Sequence, residues 1–273
     1  MLRSKRRVKV QGIPVSAAQQ AYLNGYFRRL RVVRIYQFTI LIVFIALWEI
    51  TTRLGILNDF IFSSPSRVVK TFMTMLMEGN LLYHIGVTLG ETFISFLLVI
   101  VLGLLIAIVL WWNESVAKVL EPYLVVLNSL PKTALAPVFI VWLGNNMKTI
   151  IVAAVSVAVF GTIITLYTDF KSVEPDKVKL IQTLGGKKKD ILLKVVIPSN
   201  YASIISVMKV NIGLSLVGVI IGEFLAAKAG LGYLIIYGSQ VFKLDWVIMS
   251  IVVLCILATC LYKLLSYIEK RVQ

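Results

Sequence analysis

Residues 92–113 carry no charged side chain, and neither do residues 149–168. A hydrocarbon core ~30 Å thick takes about 20 residues of helix to cross. Uncharged runs of this length, with none of the alternation of a strand, are helical, which excludes a pore-type β-barrel. The chain is therefore bound to fold as membrane-spanning helices, and its polar stretches are bound to lie at one membrane face or the other.

Composition agrees. The chain is 59% hydrophobic with a mean hydropathy of +0.89, against roughly 45–50% apolar residues in soluble domains. Its formal charge is +15, from 28 Lys and Arg against 13 Asp and Glu. In a soluble protein that excess points to nucleic acid. Here the charges gather at the ends of apolar runs, with no basic stripe among aromatics, so the expected partner is the lipid bilayer and not nucleic acid. Cys255 and Cys260 share one apolar run, five apart, and are expected to be buried thiols and not a redox pair.

Six spans follow, at about 35–52, 86–112, 118–143, 149–169, 199–222 and 246–266, preceded by a basic cytosolic segment, 1–34. That segment is basic for too long before the first apolar run to be a cleavable signal. Residues 16–27 within it read as a short amphipathic surface helix, residues 67–82 as a helix on the outer surface, and the glycine-rich stretch 222–235 as external. Of the 28 cationic residues, twenty then lie inside and six outside, with Lys132 and Lys209 within spans. The asymmetry places both termini in the cytosol.

Two spans are unusual. The third is broken by Pro131-Lys132 and Pro137 just after Asn128 and Ser129. Proline removes a helical hydrogen bond, and a broken helix at membrane depth survives only inside protein or beside a watery cavity. Either it lines a path or its kink is filled by neighbouring helices. The fifth span carries Lys209, Asn211 and Ser215, with Glu223 at its outer end. Charges at membrane depth are costly and mark function. Snorkelling accounts for Glu223 and for Glu91, which opens the second span, while Lys209 reads either as a snorkelling group or as an anion-attracting group in a path. Asn128, Pro131, Pro137, Lys209, Asn211, Ser215 and Glu223 are thus the candidate path residues.

No catalytic or metal-binding constellation is expected. His84, the sole histidine, lies near an interface and reads as a surface residue. Gly186-Lys187 lacks the earlier glycine and the following hydroxyl of a phosphate-gripping loop, so the chain is not expected to bind ATP.

Between the fourth and fifth spans lies a polar island, residues 171–198, with seven lysines. Leu180, Ile181, Leu184 and then Ile191, Leu192, Val195 recur at helical spacing on either side of Gly185-Gly186. This reads as helix, glycine turn, helix on the inner membrane face, presenting a surface to another protein.

The island resembles the cytoplasmic signature of ABC-importer permease subunits, which runs E-A-A, three residues, G, nine residues, I, one residue, L-P. Gly185 takes the glycine, Val195 the isoleucine and Ile197-Pro198 the final pair. Lys179-Leu180-Ile181 stands where E-A-A would, so the resemblance carries the helix–turn–helix shape without the glutamate's ion pair. The segments SSPSRVV (63–69), LEPYLVVLNSLPKTALAPVFIVWLG (120–144), KSVEPD (171–176) and IGEFLAAKAGLGYLI (221–235) are similar to the nitrate/sulfonate/taurine branch, over roughly residues 60–268.

The resemblance implies an all-α, six-helix type I importer permease of MetI-like fold in the bacterial cytoplasmic membrane. It implies a dimer with itself or a similar permease, two cytosolic ABC ATPase subunits that hold the ATP and Mg²⁺, and an external solute-binding protein. This chain would carry no cofactor and no catalysis. Lys177, Lys179, Leu180, Ile181, Leu184, Gly185, Gly186, Lys187, Lys188 and Pro198 would form the ATPase-coupling surface. The expected substrate is an anion such as sulfonate, taurine or nitrate, with a vitamin or pyrimidine precursor as the alternative. A secondary carrier would instead need repeats and buried carboxylates, and a structural membrane protein would not need the signature spacing.

Overall fold

The computed structural model describes residues 17–272, and every regular element in them is a helix. The chain divides into two units between Ser66 and Arg67. Arg3, Lys5, Arg6, Arg7 and Lys9 lie outside the described residues.

In the first unit, α1 (Ala17–Arg53) is one continuous helix. The expected surface helix at 16–27 and the first span are therefore a single element. The segment between them, 28–34, holds four arginines, two valines and a leucine with no proline or glycine, and Gly25 before it costs only about 1 kcal/mol, too little to break the helix. Beyond the short α2 (Asp59–Phe62), Glu49 ties the chain back to α1. Its carboxylate accepts from Arg53 Nε at 2.6 Å and from the Ser66 N–H at 3.0 Å, with a further bond from Ser66 Oγ.

The second unit takes up α3 (Pro65–Met77), α4 (Asn80–Trp112), α5 (Glu114–Ser129), α6 (Lys132–Leu143) and α7 (Met147–Lys171). The island follows as α8 (Pro175–Thr183), α9 (Lys188–Ile191), a π turn (Leu192–Val196) and α10 (Ile197–Ser199). Then come α11 (Tyr201–Ala226), α12 (Leu231–Gln240) and α13 (Leu244–Val272). The expected outer helix is α3, and α4 begins earlier than the second span was placed, directly after a turn at Gly79. The stretch expected as external loop instead contributes the end of α11 and the first half of α12. Cys255 and Cys260 are free thiols on the outward surface of α13, within a candidate membrane span.

Among the described residues, five helices are long and apolar enough to cross a membrane, and α5–α6, bent by 95°, makes a sixth span if taken as one. The bend has a local cause. Pro131 has no N–H to continue the ladder, and the last carbonyls of α5 lose their partners. The Lys132 ammonium turns back onto them, donating to Asn128 O at 3.1 Å and to Leu127 O, and it also lies over the Phe160 ring of α7.

α4 and α11 both pack along α7. Without a hydrophobic drive between helices in lipid, close approach depends on small residues. A Cβ on Gly218 would stand 2.6 Å from Ala154 Cα, and one on Gly222 would stand 2.9 Å from Ile150 Cα. At the other end of the bundle, Leu110 of α4, Ala117 of α5, Ile163, Leu166 and Phe170 of α7 bury Ile191, Leu192 and Val196 of the island. Two ion pairs fix α13, Arg67–Asp245 at 2.7 Å to α3 and Lys209–Glu269 at 2.6 Å to α11.

Gly218→Val is therefore expected to force α7 and α11 apart and to cost about 1–3 kcal/mol, the usual penalty of overpacking. Thermal unfolding of the purified chain in detergent would show a lowered midpoint, and a midpoint at the wild-type value would contradict the close packing.

Candidate functional site

The island folds as helix, turn, helix. α8 opens with Pro175 in its first turn and Asp176 at its positive end. It closes in a Schellman motif: Gly186 N donates to Ile181 O at 2.8 Å and Gly185 N to Gln182 O at 3.0 Å. Gly185 has φ +78°, the left-handed region that glycine enters without cost. The second helix is capped by Asp190, whose carboxylate accepts from the Lys187 N–H at 3.0 Å. That bond, and then Lys194 at 3.0 Å, hold the Asp190 carboxyl below the usual carboxylate range.

The two apolar sets of the island have different fates. Ile191, Leu192 and Val195 are buried in the bundle, each contributing about 1.5–3 kcal/mol on removal from water. Leu180 and Leu184 are 60% and 74% exposed, at the tip of the turn, and Ile181 packs between the two environments. Lys177 and Lys179 ride the exposed face of α8, paired with Glu174 and Asp176. Lys188 turns the other way, donating to Trp112 O at 2.6 Å. Pro198 sits in α10, in the rigid link from the π turn to α11.

Between α7 and α11, on the island side of the Gly218 and Gly222 contacts, lies a cavity of about 480 Å³. Its polar lining comes from Asn128 beside the α5–α6 break, Thr162, Thr165 and Asp169 of α7, and Ser203, Ser206 and Asn211 of α11. The Thr162 hydroxyl lies 3.0 Å from Asn211 Oδ1 and 2.7 Å from Ala158 O. Asn211 Nδ2 is buried with no partner among the described residues. Ser203 Oγ donates to the Asp169 carboxylate at the island end. Among the described residues, no lysine or arginine lines this space.

At the opposite end of α11, Glu223 is 1% exposed. Its carboxylate accepts from Thr88 Oγ1 at 2.7 Å and from Gly232 N at 2.5 Å, while Leu231 N donates to Thr88 Oγ1 at 2.8 Å. Glu91 hydrogen-bonds the same carboxyl group. The free N–H groups that open α12 thus meet carboxyl and hydroxyl oxygens at the helix's positive end. His84, expected to be an idle surface group, accepts from the Gly230 N–H at 3.0 Å and stacks on Tyr233.

The sequence-derived path residues therefore fall in four places. Asn128 and Asn211 line the cavity together, with Pro131 and Pro137 framing and following the break beside it. Lys209 faces α13 and Glu269. Ser215 is buried one turn beyond Asn211, and Glu223 belongs to the α12 cap. Asp169 was not singled out, although a carboxylate closing an uncharged run is a visible signal. Thr88, one turn before Glu91 and Thr92, gave none.

Known proteins share this architecture. Residues 99–273 match the family model described as the binding-protein-dependent transport system inner membrane component. The formylaminopyrimidine transport permease protein ThiX of Halalkalibacterium halodurans is 30% identical over 192 residues, covering 70% of this chain and 76% of that protein. The taurine transport system permease protein TauC of Escherichia coli is 21% identical over 237 residues, 85% of this chain and 86% of that one. Among solved structures, the inward-facing MetNI methionine ABC transporter superposes with a TM-score of 0.65 at 18% identity, over 72% of this chain and 98% of that one.

Glu223→Ala strands the Thr88 hydroxyl and the Gly232 N–H in the interior and is expected to cost about 1–3 kcal/mol. Glu223→Gln keeps a carbonyl acceptor and should cost less. The order of the two melting temperatures checks the cap, and an alanine variant as stable as wild type would remove it.

Proposed function

The chain belongs to the binding-protein-dependent transport system inner membrane component family, the permeases of ABC importers, and from that premise we propose how it works. Its exposed foot, Leu180 to Leu184 with Lys177 and Lys179 around Gly185, docks on a cytosolic ATPase that holds the ATP and Mg²⁺. The chain itself is a transport component and catalyses nothing. Two copies, or this chain and a similar permease, enclose a path in the bacterial cytoplasmic membrane, and an external binding protein delivers the solute. The charge asymmetry of the polar segments supports an island and both termini on the cytosolic side.

One observation carries the coupling reading: the island is exposed at its tip and buried at its root. Ile191, Leu192 and Val196 fasten α9 and the π turn to the ends of α4 and α7. Through α10 and the Asn200 amide, which donates to Val196 O at 2.9 Å, the same segment runs into α11. A push on the tip is thereby delivered to the two helices that line the polar cavity.

The cavity also bears on the solute. The resemblance to the nitrate/sulfonate/taurine branch favours an anion, with Lys209 as a weak hint of one. Lys209 is instead neutralised by Glu269, and the ionisable group in the cavity lining is Asp169. A sulfonate or nitrate would meet a carboxylate there with no cation to offset it. Hydrogen-bonding side chains around one carboxylate suit an uncharged or amine-bearing heterocycle, and the 30% identity to a formylaminopyrimidine permease supports the same choice.

The test is reconstitution with an ATPase and a solute-binding protein in liposomes. ATP hydrolysis and uptake should be stimulated by a binding protein loaded with formylaminopyrimidine and not by one loaded with taurine. Solute movement by the purified chain alone would sink the importer reading, and stimulation by the sulfonate only would sink the substrate class. In the same assay Gly185→Val, which imposes about 1–2 kcal/mol of left-handed strain, should insert normally yet hydrolyse without transport. Wild-type uptake by that variant would refute the docking role.

A further inference from the structure

Where α4 and α7 end beside the island, a second cavity of about 310 Å³ opens among Leu110, Trp111, Glu114, Tyr167, Lys171 and Lys188. The mechanism proposed above makes no use of it. Lys171 is the last residue of α7, and its ammonium stands 5.9 Å from the centroid of the Tyr167 ring. Lys188 opens α9, and its ammonium stands 5.7 and 5.8 Å from the ring centroids of Trp111 and Trp112 while donating to Trp112 O. An ammonium has three protons to donate, so a ring face or a single carbonyl leaves both lysines with donors to spare. Glu114 is the acid in the lining, and Lys118 pairs with it at 3.0 Å.

The surroundings specify the source of the anion. Trp111 and Trp112 close an uncharged span, where indoles settle at headgroup depth. Above Trp111, Ile108 and Leu104 of α4 are partly exposed and Val101 is 51% exposed. Spacings of three, four and three residues put Trp111, Ile108, Leu104 and Val101 on one helix face, an apolar track leading from the cavity toward the middle of the bilayer. A soluble anion would find the two ammonium groups but would have no use for the track.

We infer that this cavity seats the phosphodiester of an anionic glycerophospholipid between Lys171 and Lys188, with its acyl chains along Ile108, Leu104 and Val101. The inference rests on the orientation proposed above, which puts this end of α4 and α7 at the inner leaflet. It gives Lys188 a partner in the membrane and not in the ATPase, so the bound lipid holds the root of the foot while the tip at Leu184 remains free.

The experiment uses the full chain in vesicles of phosphatidylcholine, with and without phosphatidylglycerol, followed by native mass spectrometry of the lipid retained after extraction. Phosphatidylglycerol should be kept in preference to phosphatidylcholine. Lys171→Gln/Lys188→Gln should weaken that preference on the order of thirtyfold, from the contribution of two lysines at an anionic surface. Lys171→Arg/Lys188→Arg should keep it, as should Lys228→Gln/Lys243→Gln, which removes equal charge at the opposite ends of the spans. Unchanged retention in the Lys171→Gln/Lys188→Gln variant, or retention of both lipids alike, would overturn the proposal. So would displacement by inorganic phosphate beyond that of chloride at equal ionic strength, since the cavity would then be a free-anion site. No ATPase or solute enters the measurement. A chain that keeps the lipid but couples to no ATPase would fail the importer reading alone.

Discussion

A bare backbone N–H or C=O in hydrocarbon costs several kcal/mol, and this chain breaks its helices repeatedly at or near membrane depth. Each break is mended by one to three side chains close at hand. Lys132 covers the open carbonyls of α5 where Pro131 bends the span. Asn113 and Asn146 accept from the first N–H groups of α5 and α7. Asn200 bridges the π turn and α11. At the start of α12 the work is divided among Glu223, Thr88 and His84. The bent span, the cavity beside it and the start of α12 all depend on these few polar groups.

The same economy ties the island to the bundle. A solvent-exposed helical hairpin of this length would not hold its shape unaided, because short isolated helices are marginal in water. Here only α8 projects, and α9 with the π turn is built into the core through Ile191, Leu192 and Val196. π turns often mark functional segments of a helix. This one aims two adjacent buried residues, Val195 and Val196, into the bundle while the chain continues toward α11.

Much of this was legible in the residues. Uncharged runs located the long helices, because hydrocarbon thickness sets their length directly. Gly185-Gly186 between two apolar sets located the turn, because left-handed backbone has few occupants. Pro131 located the bend. What stayed hidden was pairing between distant segments. Lys209 reads as a lone charge until Glu269, sixty positions on, is seen against it. Glu223 and Glu91 read as two interfacial groups, yet they share one buried network with Thr88. Asp169 and Asn211 were equally invisible as neighbours, since only the antiparallel packing of α7 and α11 sets them around one space. The surface helix expected at 16–27 failed for a different reason: charge composition shows which residues meet headgroups, not where a helix stops.

The contacts at Gly218 and Gly222 have a mechanical corollary. They pinch α7 and α11 together near one end, where the Glu223 network also grips α4 and α12. Toward the other end the two helices straddle empty space and are joined, last turn of α7 to first turn of α11, by the Asp169–Ser203 hydrogen bond. A pair of rods fastened in this way behaves like tweezers, stiff at the hinge and compliant at the jaws. Any torque entering through the jaws is converted into aperture with little disturbance at the hinge.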